Sequence, residues 1–142
     1  MAGRERESGG GRIESEELCR RIAGVADEKK GGEIVALDVR ELVGYTDFLL
    51  ICTARNERQA RAIVDEVKLR VKKDQELLPG GMEGDGSAGW IVLDYLDCVL
   101  HVFTEEARQR YRLEELWREA PREEIQPSQD GVRRHLYGAA HG

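Results

Sequence analysis

The sequence predicts an α/β layer fold, in which a mixed β-sheet of four or more strands packs against helices in the chain order αββαββα. Two apolar runs, Glu33–Val39 and Thr46–Cys52, do not alternate cleanly between apolar and polar residues, which is typical of strands covered on both faces. A second pair of runs, Gly89–Tyr95 and Cys98–Thr104, is separated by only two residues and indicates a hairpin. Segments with apolar residues at helical spacing lie before, between and after these pairs.

The chain has 142 residues, enough for one domain with a single hydrophobic core. Residues 1–14 are rich in glycine and charge, and residues 121–142 contain proline, glutamine, serine and glycine without sustained apolar periodicity. Neither end buries enough apolar surface to offset its ordering entropy. We therefore expect a domain over residues 15–120, flanked by two mobile tails.

The three helices are predicted from their caps and their apolar stripes. Ser15 is the expected N-cap of the first helix, and Gly31 ends it. Asn56 caps the second helix, with Gln59 completing a partial capping box, and Thr104 caps the third. The stripes consist of Leu18, Ile22, Val25 and Ala26 in the first helix, of Ala60, Ile63, Val64, Val67 and Val71 in the second, and of Leu113, Leu116, Trp117 and Ala120 in the third, which Pro121 ends.

Residues 78–89 form a loop by composition, with five glycines. Glycine-rich loops cradle phosphates in nucleotide-binding proteins. Here, however, the Gly-Lys-Ser/Thr ending of such loops is missing, and a strand follows where a helix is required. The loop is therefore not expected to bind a nucleotide.

The formal charge of −6 lies on residues 15–120, because each tail carries equal numbers of acidic and basic residues. A surface that binds RNA phosphates has the opposite sign. An acidic domain is suited to a basic protein partner, since complementary fields speed encounter, although the same charge also serves solubility. No segment approaches the roughly 18 consecutive apolar residues of a membrane span, and no signal peptide is evident, so we expect a cytoplasmic protein without membrane contact.

Four carboxylates are candidates for metal or acid–base chemistry. Asp38 ends one predicted strand and Asp47 begins the next, and paired carboxylates at strand ends hold magnesium in nucleotidyltransferases. The Gly-Ser turn and the Asp-x-Asp/Glu pair of that chemistry are missing, so capping and turn roles are favoured. Asp94 and Asp97 flank the hairpin bend, where carboxylates commonly accept hydrogen bonds from turn amides.

No metal or cofactor site is expected. Cys19, Cys52 and Cys98 are far apart and lie within apolar patterns, which is typical of buried thiols in a reducing compartment. Cys98 and His101 are three residues apart on a strand and so point to opposite faces. We expect His101 to be a half-buried strand residue and not a base.

Trp90 and Tyr95 are candidate interface anchors, because tryptophan and tyrosine are favoured at binding hot spots. Alternation along the strand places Trp90 with Asp94 on one face and Tyr95 with Leu93 on the other, unless the bend breaks the alternation. Core packing is the alternative for both rings.

An ordered set of short motifs extends over essentially all of residues 15–120. It consists of Leu37-Asp38-Val39, Thr46-Asp47, Arg58-Gln59, Glu83-Gly84, Trp90 to Asp94, Asp97, His101-Val102-Phe103, Arg108, Tyr111, and Leu113-Glu114 with Leu116-Trp117. In these motifs the chain resembles the ribosomal silencing factors, also called Iojap-like proteins. The number of matches in order argues against chance similarity.

The resemblance implies a protein that binds the large ribosomal subunit through its L-fourteen protein, at the face where the small subunit docks. Such a protein blocks subunit joining and represses translation when nutrients are scarce. The resemblance also implies a nucleotidyltransferase-like architecture without that active site, a steric mechanism without a cofactor, and a tendency to form homodimers. By matched position, the expected contact residues are Trp90, Asp94 and Tyr95, with Glu83 and Asp97 as further candidates.

The chain departs from the family pattern in the hairpin bend, where Leu96 replaces the usual glycine. If that position requires a positive φ, leucine costs of order 1 kcal/mol or reshapes the turn.

Two rival functions stay open on the sequence alone. One is a magnesium-dependent enzyme acting on nucleotides through Asp38, Asp47 or Asp94. The other is an rRNA-binding assembly factor that uses the basic end of the second helix, formed by Lys68, Arg70, Lys72 and Lys73, although compensation of the helix dipole explains these charges adequately.

Overall fold

The computed structural model describes residues 14–85 and 87–125. The elements in chain order are α1 (Ser15–Glu28), β1 (Gly32–Asp38), β2 (Phe48–Ala54), α2 (Glu57–Gln75), β3 (Gly81–Glu83), β4 (Trp90–Asp94), β5 (Cys98–Thr104), α3 (Glu105–Tyr111), α4 (Leu113–Leu116) and β6 (Arg122–Glu124). None of the helices in these ranges is long and apolar enough to cross a membrane.

The strands form one six-stranded sheet in the order β3-β4-β5-β2-β1-β6. The two central strands, β2 and β5, run parallel, and every other neighbouring pair is antiparallel. The α/β class, the mixed sheet and the β4–β5 hairpin are therefore confirmed. Both β1 and β2 are buried along most of their length, as their unbroken apolar runs predicted.

The core lies in two layers, one on each face of the sheet. On one face, α1 and α2 cover the even-numbered side chains of β2 and β5, including Phe48, Leu50 and Leu100. On the other face, α3 and residues 113–120 cover Leu37, Ile51 and neighbouring side chains. This second cover is short, so it protects the β1 and β2 side of the face better than the β3 and β4 side.

The caps of the helices agree with the sequence at two of three sites. The Asn56 side chain accepts a hydrogen bond from the N–H of Gln59 (2.9 Å), and Thr104 Oγ1 accepts one from the N–H of Ala107 (3.3 Å). The prediction for Ser15 was wrong, because α1 begins one residue earlier than expected. Glu14 is the N-cap and its side chain makes no capping bond, while Ser15 is the first helical residue and is buried.

The third helix does not continue to Pro121. It ends at Arg112, which has a left-handed backbone (φ 51°), and a separate four-residue helix follows. The break turns residues 113–120 over the sheet, where Leu113 and Trp117 pack on the core while Leu116 is left 71% exposed. The prediction of one continuous helix with Leu116 in its apolar stripe was therefore wrong.

Two short strands were not predicted. β3 lies inside the glycine-rich loop and pairs with β4, and β6 pairs with β1 as the outermost strand. β6 and the buried Ile125 extend the folded domain past the predicted boundary at residue 120. The predicted mobility of residues 1–13 and 126–142 lies outside the described residues.

The hairpin bend adopts the conformation that disfavours leucine. Leu96 has φ 74°, and its N–H donates to Asp94 Oδ1 (2.7 Å), so the predicted turn role of Asp94 is confirmed. We expect Leu96→Gly to raise the free energy of unfolding by about 1 kcal/mol, because glycine adopts positive φ without steric cost. Urea denaturation measures the change. Leu96→Ala is the control, since alanine keeps the strained backbone; equal stability of the two variants would contradict the prediction.

Candidate functional site

The half-covered face of the sheet carries the candidate site. Trp90, Val92 and Asp94 point to this face from β4, and their register partners on β5 are Phe103, His101 and Val99. On the outer side, Glu83 of β3 pairs with Val92, which places its side chain on the same face. Pairing across three strands thus brings together residues that lie up to twenty positions apart in the chain.

Trp90 is the centre of an aromatic cluster. Its ring centroid lies 4.9 Å from that of Phe103 in a stacked arrangement and 4.5 Å from that of Tyr111 in a tilted one. Phe103 is fully buried beneath the indole, whereas Tyr111, at the end of α3, is 42% exposed. Trp90 itself is partly exposed. The cluster therefore presents two rings to solvent on a rigid, buried base.

The entry to β4 fixes where this cluster sits. Gly89 precedes Trp90 with φ 82°, and a Cβ on Gly89 would lie 2.6 Å from Thr104 Oγ1 and 3.0 Å from the Cβ of Ala107. Any larger residue at this position would push β4 away from the start of α3. Glycine therefore lets the strand begin close to the helix that carries Tyr111.

His101 contacts the indole from below. The Trp90 Nε1–H donates a hydrogen bond to His101 Nδ1 at 3.1 Å. Burial lowers the pKa of His101 from 6.5 to about 4, so the imidazole is neutral near pH 7. The predicted strand position of His101 is confirmed, but the residue is 9% exposed and thus more deeply buried than expected.

Two carboxylates lie on the same face of the sheet as the rings. Glu83 is exposed on β3, and Asp94 is partly exposed at the end of β4. We call the set Glu83, Trp90, Val92, Asp94 and Tyr111 the aromatic–acidic surface. Two aromatic rings, one aliphatic side chain and negative charge on the same face suit contact with a basic partner.

The other two expected contact residues lie elsewhere. Tyr95 is 4% exposed and packs with Leu93 in the layer under α1 and α2, so the alternation of the strand holds up to the bend. Its phenol is not accessible on the surface that Trp90 faces, and burial raises its pKa to about 12. Asp97 is buried in the bend, where its backbone carbonyl accepts hydrogen bonds from the N–H groups of Asp47 and Phe48 (3.2 Å each).

Sequence reasoning did not select Tyr111 or the acceptor role of His101. Tyr111 belongs to the motif set, but its contact with Trp90 depends on where α3 ends against the sheet. The pairing of Trp90 with His101 depends on hairpin register, because the two side chains lie diagonally across neighbouring strands. The pairing of Trp90 with His101 could have been predicted only from the correct register of β4 against β5.

One of the carboxylates considered for magnesium, Asp38, is held by an arginine. Asp38 forms a bidentate pair with the Arg40 guanidinium (3.0 and 2.7 Å), which holds the pKa of Asp38 below its usual value. Within residues 14–85 and 87–125, no group of three or more histidine, cysteine or acidic side chains is arranged to hold a metal ion. Cys98 and His101 lie on opposite faces of the sheet, as predicted.

The basic end of α2 is partly neutralised. The Arg70 guanidinium pairs with Glu28 of α1 at 3.0 Å and with Glu66 at 3.4 Å. One of the four cations at this end of α2 is therefore paired within the helical layer. That layer lies on the opposite side of the sheet from the aromatic–acidic surface.

The chain is similar to known proteins in both sequence and fold. A family model described as "Ribosomal silencing factor during starvation" matches residues 12–139. The chain is 35% identical over 114 residues to the "Ribosomal silencing factor RsfS" of Halalkalibacterium halodurans, over 80% of this chain and 97% of that protein. It is 33% identical over 105 residues to "Protein Iojap, chloroplastic" of Arabidopsis thaliana, over 73% of this chain and 43% of that protein. A crystal structure of a Chromobacterium violaceum protein superposes with a TM-score of 0.71 at 28% identity, covering 74% of this chain and 87% of that one.

Proposed function

The chain belongs to the ribosomal silencing factor family, and on that premise we propose that it represses translation by occupying the large ribosomal subunit where the small subunit docks. The proposed contact is the L-fourteen ribosomal protein. The action is steric, because a folded domain on the joining face excludes the other subunit by volume alone. It needs no cofactor and no chemical step.

The observation that carries this proposal is the aromatic–acidic surface on the half-covered sheet face. Trp90 and Tyr111 are held 4.5 Å apart on a buried base, so little side-chain entropy is lost when a partner covers them. Rigid aromatic anchors of this kind supply most of the binding energy at protein interfaces. Glu83 and Asp94 on the same face favour a basic ribosomal protein and oppose naked RNA.

The surface differs in one ring from the set expected by resemblance. We propose Tyr111 as the second aromatic contact in place of Tyr95, whose phenol faces the core. Asp97 contributes by shaping the bend next to Asp94, since it is buried there. The proposed contacts are therefore Trp90 and Tyr111, with Glu83 and Asp94 on the same face.

We propose that this action is not enzymatic. The pairing of Asp38 with Arg40 and the use of the Asp94 carboxylate in the hairpin bend support this. Calorimetry with ATP and magnesium tests the enzyme alternative directly, and we expect no heat of binding. Saturable heat that disappears in Asp38→Asn or Asp94→Asn would favour the enzyme.

The proposal is tested by sedimentation of ribosomal subunits. Purified small and large subunits are mixed with increasing amounts of the full chain, and the fraction of joined ribosomes is measured. We expect joining to decline with saturation, and the purified L-fourteen protein to be retained on the immobilised chain. Unchanged joining at saturating protein would overturn the proposal. The homodimer implied by the resemblance stays a prediction, and sedimentation equilibrium of the free chain measures it.

We expect Trp90→Ala to weaken binding to the large subunit by about 2 kcal/mol or more, roughly 30-fold, because the indole is the central anchor. Tyr111→Ala should act in the same direction by about 1 kcal/mol. Leu69→Ala is the control, since Leu69 is an exposed apolar residue (61%) that lies on α2, in the layer on the opposite side of the sheet. Circular dichroism verifies folding of each variant. Wild-type affinity in both aromatic variants would refute the site.

A further inference from the structure

His101 lies in the middle of β5, 9% exposed, with its ring centroid 5.8 Å from that of Trp90 and 6.2 Å from that of Phe103. The indole Nε1–H points down to the imidazole, 3.1 Å from Nδ1. The indole also packs against the rings of Phe103 (4.9 Å between centroids) and Tyr111 (4.5 Å). The side chains around the ring must therefore determine its orientation.

The direction of this hydrogen bond is fixed by chemistry. An indole nitrogen can only donate, so the imidazole nitrogen must accept, and the imidazole proton is then on Nε2. A neutral imidazole is required for this arrangement. The low pKa that burial gives His101 provides it at every pH near neutrality.

We propose that His101 is the positioning residue of the aromatic–acidic surface: its Nδ1 accepts the Trp90 indole N–H and thereby holds the ring in the one orientation in which it faces a partner. This inference rests on the proposed function only for the identity of that partner. The positioning itself is a property of the free chain.

The bond also limits what the partner can be. Because the indole donor is already satisfied within the protein, the partner meets only the π-face and the apolar edge of Trp90. Those surfaces bind cationic and aliphatic side chains, and guanidinium or ammonium groups interact favourably with an indole face. His101 therefore makes Trp90 selective for a basic surface and not for a hydrogen-bond acceptor.

The test uses two substitutions of nearly equal shape, His101→Asn and His101→Leu. The Asn amide oxygen can occupy the position of Nδ1 and accept the indole N–H, whereas Leu cannot. Nitrogen-15 NMR of the full chain observes the indole N–H directly. Trp117→Phe identifies the Trp90 signal, because the chain contains only two tryptophans. Affinity for purified large ribosomal subunits is measured on the same samples.

In His101→Leu we expect solvent exchange of the Trp90 indole proton to accelerate by about tenfold or more, since the bond that protects it is lost. Affinity for the large subunit should fall by about tenfold in the same variant, while His101→Asn stays within about threefold of wild type. A purely structural role for His101 would make both variants lose stability without separating their indole exchange rates, which would overturn the inference.

The two proposals fail in different ways. If the wild-type chain does not bind the large subunit but its indole proton is protected through His101, the proposed function fails and the positioning role stands. If the wild type binds and His101→Leu binds equally well with its indole proton exposed, the proposed function stands and the positioning role is wrong.

Discussion

We expect Arg108→Met to lower the free energy of unfolding by about 2–4 kcal/mol, because the substitution breaks a partly buried ion pair together with two further hydrogen bonds. Arg108 is 9% exposed. Its guanidinium donates two bonds to the Glu114 carboxylate (3.0 and 2.8 Å). A third nitrogen donates to the carbonyl of Glu33 and to Thr53 Oγ1, both at 2.7 Å. One side chain thus joins α3 and α4 to the first two strands.

The matched control is Arg110→Met on the same helix. Arg110 pairs with Glu106 at 3.5 Å, but both side chains are more than half exposed, so we expect a loss below about 0.5 kcal/mol. Adding Glu114→Leu to Arg108→Met should recover part of the loss, because it removes the Glu114 carboxylate, which loses its bidentate guanidinium partner in Arg108→Met. Guanidinium denaturation measures all four proteins. A loss below about 1 kcal/mol in Arg108→Met would contradict this account.

The effect should extend to binding. Tyr111 lies about one helical turn after Arg108 on α3, and its ring contacts that of Trp90. Loosening α3 therefore moves one of the two proposed aromatic contacts. We expect Arg108→Met to weaken binding to the large subunit even at temperatures where the chain remains folded.

Much of the fold was predictable because local patterns determine it. The apolar runs of β1 and β2 indicated strands covered on both faces, and Asn56 and Thr104 cap helices as their chemistry requires. The break at Arg112 was not predictable in the same way. The following residues have helical spacing, but the bidentate contact of Arg108 with Glu114 and the packing of Trp117 select a turned chain over a straight helix.

The short edge strands and the site show the same limit. β3 and β6 have three residues each, and their extended conformation depends on pairing with β4 and β1. No run of apolar residues in the sequence therefore predicts them. Alternation along β4 correctly separated Trp90 from Tyr95. It did not identify Tyr111, because that contact joins a strand start to a helix end twenty-one positions away, and its distance is set by tertiary packing.

Stability of the chain should decline in mild acid through a single buried imidazole. Desolvation lowers the pKa of His101 to about 4, while in the unfolded chain the value returns to 6.5. Between these two pH values the His101 imidazole is protonated in the unfolded state and neutral in the folded state. The free energy of unfolding therefore decreases as pH falls from about 6.5. At pH 4, His101 alone lowers it by about 3 kcal/mol relative to its value at neutral pH.

The measurement is the difference between wild type and His101→Asn, taken from urea denaturation at pH 7, 6, 5 and 4. Subtracting the variant removes the effects of His135 and His141 and of the carboxylates, which both proteins share. Because Asn cannot be protonated in this range, the variant should lose less stability than wild type, with the difference growing to about 2 kcal/mol at pH 5. A difference that does not change with pH would mean that His101 is readily protonated in the folded chain. The imidazole would then be unable to accept the indole N–H in mild acid, and Trp90 would lose its fixed orientation as the pH fell.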